Sequence, residues 1–156
     1  ETVMAPWWID ASGNRSSSGV GMAWGGYGTD ISSLPNMTNS TQAEADFDSC
    51  GNTDKIVAAG SASTYPAAWA TRKYAPTAAT KSKWCLPATG IMVNIYNNQD
   101  TIQTAISKAG GVSYPNCCTW SSSDRGINVW FSILGGGLDH TTKDDTDLHV
   151  YPVLEF

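Results

Sequence analysis

The chain has 156 residues, enough for one domain with a substantial core. A net charge of −5 supplies no basic face for a phosphate backbone and argues against nucleic acid as a partner. No apolar run approaches the ~20 residues that span a bilayer, so direct membrane insertion is not expected.

Only 15% of the residues are charged, and seven are tryptophan. Glycine, serine, threonine and asparagine fill the gap, the composition of a loop-rich, rigid domain with aromatic anchors. Extracellular binding modules often look like this. The first residue is Glu1, consistent with a removed leader or an upstream segment.

Glu1–Asp10 carries Trp7-Trp8 and reads as an edge strand or packed arm. Ala11–Ser18 is a turn or loop, and Val20–Trp24 alternates weakly as a strand would. Gly25–Gln42 lacks helical periodicity and is expected to be a long ordered loop. Sequons at Asn14, Asn36 and Asn39 are read as products of composition rather than glycosylation sites.

Asp46–Asp54 has oxygen-bearing side chains at alternate positions, in the manner of a calcium loop, but lacks the closing glutamate. Asx-turns leading into a helix explain it more simply. Thr53 is the expected cap of a short helix, Asp54–Ala59.

Thr64-Tyr-Pro66 opens the clearest helix, with Thr64 as N-cap, proline early, and Ala67, Ala70 and Tyr74 as its buried stripe. Ala78–Lys83 reads as a loop. Further helices are expected over Ala88–Tyr96 and Asp100–Ala109, the second with Ile102, Ala105 and Ile106 facing inward and Gly110-Gly111 stopping it. Ser113–Thr119 is turn-rich.

Val129–Leu134 reads as a strand with Trp130, Ser132 and Leu134 on one side and Phe131 and Ile133 on the other. Both sides are apolar. Either the strand is buried on both faces, or Phe131 and Ile133 belong to an exposed contact surface.

Three blocks in this chain resemble a known family. The first is Trp120-Ser-Ser-Ser-Asp124, Asn128-Val-Trp130, Gly137, Lys143 and Val150-Tyr-Pro-Val-Leu-Glu-Phe156. The second is Trp84-Cys-Leu-Pro-Ala-Thr-Gly90 with Ile95-Tyr96 and Gly110-Gly111, and the third is Asp46-Phe-Asp48 with Gly51-Asn-Thr53. They are similar to a C-type-lectin-fold family that includes Lcl-type adhesin domains and the variable proteins of diversity-generating retroelements in phages and gut bacteria. The chain departs from that pattern at Cys85 (usually Tyr), Gly90 (near the usual Glu) and Tyr151 (usually Arg).

The resemblance implies an α+β, C-type lectin-like fold: one domain over residues 1–156, small twisted antiparallel sheets, two or three helices and long ordered loops. It also implies a variable-type ligand-binding region over about 120–156, and extracellular placement on a cell surface or virion.

Catalysis finds little support in the sequence. His140 and His149 lack a partner motif, and Ser121–Ser123 is not a nucleophile elbow. The same fold hosts formylglycine-generating enzymes, but no matching catalytic cysteine pair is present. No cofactor is expected. Calcium at Asp139, Asp144, Asp145 and Asp147 is the less favoured reading, because the resembling branch lacks the calcium–sugar motif. Cys50, Cys85, Cys117 and Cys118 show no zinc spacing. One of the adjacent pair can bond Cys50 or Cys85 in an exported protein, and free thiols are the alternative.

The favoured reading is therefore non-enzymatic binding of a protein or glycan on a target cell, with display on a larger assembly. Trp120, Trp130, Gly137, Val150, Pro152, Val153 and Phe156 read as frame. Between them lie residues of mixed type: Arg125, Gly126, Ile127, Phe131, Ile133, Leu138, Asp139, His140, Thr141, Thr142, His149 and Tyr151. Adenine mutagenesis of Asn-type codons, which the resemblance implies, excludes Lys, Glu, Gln, Met and Trp. Every mixed-type residue obeys that exclusion. Phe131, Ile133 and Tyr151 are the expected apolar or aromatic anchors, with Arg125, Asp139 and His140 as polar contacts. An invariant adhesin or carbohydrate-binding domain of the same fold is the alternative.

Overall fold

A computed structural model describes residues 1–113, 118–133 and 137–156. Leu134 and Cys117, on which two expectations rest, lie outside the described residues. The architecture is α+β, with short antiparallel sheets and several helices.

Strands β1 (Thr2–Met4), β2 (Trp8–Ile9) and β3 (Arg15–Ser16) come first. Then follow α1 (Ser40–Glu44), α2 (Ser49–Ala59), α3 (Pro66–Lys73), α4 (Thr89–Asn97) and α5 (Gln99–Lys108). The C-terminal part supplies β4 (Thr119–Arg125), β5 (Asn128–Ser132), β6 (Leu138–Thr142) and β7 (Val153–Glu155). Five α-helices among the described residues exceed the two or three expected. A single 3-10 turn, Ala78–Thr80, interrupts the loop expected over Ala78–Lys83.

β4, β5 and β6 form a three-stranded antiparallel sheet in chain order, with a register shift between Trp120 and Asp124. β2 and β3 make a small hairpin. β1 pairs with β7, Thr2 opposite Glu155, so the two ends of the chain lie side by side.

Helix starts follow local chemistry, with two corrections. Asp48, not Thr53, caps α2: its carboxylate accepts from Gly51 N at 3.0 Å, and the helix begins five residues earlier than expected. Thr53 is instead buried inside that helix, donating to Ser49 O at 2.7 Å and accepting Leu86 N at 3.0 Å. In α3, Pro66 sits in the first turn and Ala67, Ala70 and Tyr74 are buried as expected. Thr64 does not cap it; its hydroxyl bonds Ser61. In α5 only Ile106 of the expected inward stripe is buried.

The main core gathers Ile9, Trp24, Ile56, Leu86, Trp120, Val129 and Val150 between the helices and one face of the β4–β6 sheet. A smaller cluster of Met37, Ala43 and Trp130 covers the opposite face. β5 is thus covered on both sides, which decides between the two readings of its alternation.

Residues 20–38 form a long loop with neither helix nor strand. Val20–Trp24 is not the expected strand; Met22 N bonds Leu148 O at 2.9 Å, but no ladder follows. Polar groups pin the loop to the sheet instead. The Trp24 indole donates to Ser121 O at 2.8 Å, the Trp120 indole to Met22 O at 2.6 Å, and the Trp130 indole to Met37 O at 2.8 Å. Each bond pairs a buried carbonyl that would otherwise be costly to enclose.

Cys50 and Cys85 form a disulfide, so neither pairs with the adjacent Cys117-Cys118; Cys118 is a free thiol. The bond is compatible with an oxidising compartment. Among the described residues no helix is long and apolar enough to cross a membrane.

Candidate functional site

The site is built on a buried ion pair. Asp124, near the end of β4, and Lys143, just after β6, are both fully enclosed, with Lys143 Nζ 2.8 Å from Asp124 Oδ1. Nζ also donates to Thr29 O at 2.8 Å and Gly126 O at 2.7 Å. The ammonium lies 4.7 Å from the centroid of the Trp24 ring. One lysine therefore ties the long loop, the β4–β5 turn and β6 together. Burial pushes the Asp124 carboxyl up to about 6, against the opposing pull of Lys143.

The β5–β6 register decides which mixed-type residues meet. Trp130 lies opposite His140, Ser132 opposite Leu138, and Asn128 opposite Thr142, so these six share one face. Arg125 joins them opposite Asn128. Its guanidinium is 5.6 Å from the Trp130 ring centroid, with Nη2 3.4 Å from Thr38 O. The His140 ring meets Trp130 edge-on at 5.4 Å.

Leu138 and His140 are half-buried, Thr142 is exposed, and Ile127, on the adjoining turn, is 60% exposed. Gly126 forms that turn at φ 73°, a conformation that favours glycine. The Trp130 indole is buried beneath this surface, and Arg125, Ile127, Leu138, His140 and Thr142 form a rim around it.

The other mixed-type residues lie elsewhere. Phe131 is 8% exposed and packs edge-on against Trp120 at 6.3 Å, so it is a core residue and not the expected exposed anchor. The reason is its face: an odd position of β5 points toward the helices. Tyr151 is 1% exposed, with its hydroxyl donating to Val112 O at 3.2 Å. It too is removed from the contact surface. Asp139 and Thr141 share the face of Phe131 and Val129, and Asp139 is exposed at the sheet edge, where its Oδ1 accepts His140 N at 2.8 Å. His149 packs edge-on against Trp8 at 4.3 Å, in the neighbourhood of Tyr151 rather than of His140. Ile133 is exposed beyond the end of β5.

The carboxylates of the calcium-like stretch have protein partners. Asp46 accepts from Asp48 N at 3.1 Å, Asn52 Nδ2 at 2.8 Å and Ser123 Oγ at 2.6 Å. Asp48 caps α2. Burial raises the Cys118 thiol, and Asp145 and Asp139 raise it further, away from a reactive thiolate.

Sequence reasoning missed the part played by Met37 and Thr38. They come from the long loop, Met37 lying 93 residues before the Trp130 it meets, and carry no local signal of where they dock. No protein family, curated protein or solved structure matches this chain.

Proposed function

We propose that the protein is a non-enzymatic ligand-binding module of C-type lectin-like fold, displayed on a virion or cell surface. It contacts a protein or glycan on a target cell through the Trp130 face of its C-terminal sheet. A retroelement diversifies the rim of that face.

One observation carries the reading: the separation between frame and rim. Asp124 and Lys143 form an enclosed pair, Lys143 donates to Thr29 O of the long loop, and the Trp24, Trp120 and Trp130 indoles tie that loop to the sheet. Arg125, Ile127, Leu138, His140 and Thr142 protrude from that frame with little hydrogen bonding to it. Side chains can change on such a rim without changing what holds the fold, which is how a rigid scaffold supports many specificities. The long ordered loop and the mixed small sheets accord with the C-type lectin-like reading. Binding by one shallow face is weak, and display in many copies supplies avidity.

The test is sequencing of the 3′ end of the gene across its source population, beside any near-identical repeat. Substitutions confined to template adenines, at the codons for Arg125, Ile127, His140 and Thr142 but not those for Asp124, Trp130 and Lys143, are the expected result. A uniform 3′ end overturns diversification and leaves an invariant adhesin.

A further inference from the structure

The two ends of the Cys50–Cys85 bond have unequal surroundings. Cys85 is fully enclosed, while Cys50 is half-buried in the first turn of α2. Access decides which sulfur an incoming thiol attacks, and here it favours Cys50.

Charge has the same polarity. Arg72, on α3, has a side chain 11% exposed, and its Nη1 lies 3.4 Å from Cys85 Sγ. The guanidinium is held from several sides. Nη1 donates to Trp84 O at 3.1 Å and Ser82 O at 3.2 Å. Nη2 pairs with Asp54 Oδ1 at 2.6 Å and donates to Cys50 O at 3.4 Å. Asp54 offsets part of that charge, but its side chain is 73% exposed and screened by solvent. A cation fixed beside one sulfur stabilises a thiolate there.

At Cys50 the nearby donors are already used. A helix N-terminus ordinarily stabilises a thiolate through its free amides. In α2 the Ser49 and Cys50 amides each donate to the Glu155 carboxylate at 3.2 Å, and the Gly51 amide donates to Asp48 at 3.0 Å. Two carboxylates thus occupy the end of the helix that carries Cys50. In thiol–disulfide exchange the sulfur that better bears negative charge leaves faster. Cys50 is the sulfur within reach, and Cys85 is the better leaving group.

We propose that Cys50–Cys85 is a reducible switch with a fixed direction, opened by a small monothiol at Cys50, with Cys85 leaving as a thiolate held by Arg72. The monothiol, as its thiolate, bonds to Cys50 Sγ while the Cys50–Cys85 bond breaks and its electron pair stays on Cys85 Sγ. A second monothiol then displaces Cys50 from the mixed disulfide. Both cysteines are reduced, and the two monothiols are oxidised to their own disulfide. Opening removes the covalent tie between α2 and the segment that brackets β7, where Cys85 N donates to Val153 O at 2.7 Å and Val153 N to Cys85 O at 2.9 Å. No rim residue takes part, so the switch stands or falls independently of the binding function proposed above.

The test exposes the folded, intact chain to β-mercaptoethanol, quenches with acid, alkylates free thiols and maps the peptides by mass. The mixed disulfide is expected on Cys50 and the alkylated thiol on Cys85. Equal or greater adduct on Cys85 overturns the direction, and a bond that opens only in denaturant overturns the switch.

Arg72→Met is expected to slow opening about tenfold, since it removes the charge that stabilises the leaving thiolate, with Arg72→Lys closer to the wild type. A second readout decides where loss of the guanidinium also loosens the fold. In Cys50→Ser the Cβ chemical shift of Cys85 follows ionisation of its thiol. Its midpoint is expected below the ordinary ~8.5, and at that value or above once Arg72→Met is added. The same midpoint with and without Arg72 overturns the proposal, whatever the opening rates.

Discussion

Lys143 joins three segments of the chain through one buried ammonium. Its ammonium bonds Thr29 O and Gly126 O and pairs with Asp124 in a site closed to water. Lys143→Met retains the stem but leaves Asp124 enclosed without its partner, and breaking one side of such a pair costs ~3–5 kcal/mol. Urea denaturation is expected to show that loss with an unchanged slope. Asp124 also links folding to pH. Its folded value of about 6 lies above its ordinary value of 3.8. Between those two pH values the folded state holds more protons than the unfolded one, so stability falls as pH rises from about 4 and levels off above about 6. In Asp124→Asn, denaturation midpoints across that window lose this component; an unchanged slope would assign it to another group.

At the scale of elements, β5 separates the face that carries structure from the face that carries contacts. Phe131→Ala is expected to cost ~3–5 kcal/mol, because a core aromatic leaves a cavity. His140→Ala and Ile127→Ser are expected to stay within ~0.5 kcal/mol, as surface changes do. Thermal denaturation of the three variants gives the comparison, and similar losses in all of them would place the rim inside the cooperative core. The sequence carried the alternation of β5 but not that both of its faces are covered. Its cover is a loop segment whose carbonyl meets Trp130 across 93 positions, and no local pattern encodes that docking. The same limit explains Tyr151, read as an anchor from its place in a variable-looking stretch and found enclosed. Helices α3, α4 and α5 were legible to within a residue or two because their signals are local: proline in a first turn, glycines at an end, apolar residues three and four apart. α1 and the first turn of α2 were not, since Asn39 and Asp48 cap them from stretches that look like plain loop.

At the scale of the whole molecule, a covalent bond and a polar network divide the work. The Cys50–Cys85 disulfide closes a loop of 35 residues around α2 and α3. In the chain-entropy account a loop of that length contributes about 4 kcal/mol. The Cys50→Ala/Cys85→Ala double variant is expected to lose roughly that much in guanidinium titrations, and a loss below about 1 kcal/mol would mean that the helices hold the region without it. The long loop is held differently, by indole and ammonium donors rather than by regular ladders. It is therefore ordered without repeating structure, and its sequence is constrained mainly where carbonyls must meet those donors.

The pairing of β1 with β7 sets Glu1 and Phe156 against each other, Phe156 N donating to Glu1 O at 2.9 Å. A chain whose ends meet in this way is, topologically, a ring with one cut. Position 1 and position 156 can be bridged by a short connector, and the cut moved to an open surface point such as Gly28, where no atom crowds the backbone. Read in the other direction, the whole domain can sit inside a loop of a carrier without spreading that loop apart. The carrier would grip it at a single hinge point, and the sheet rim would not be part of the attachment.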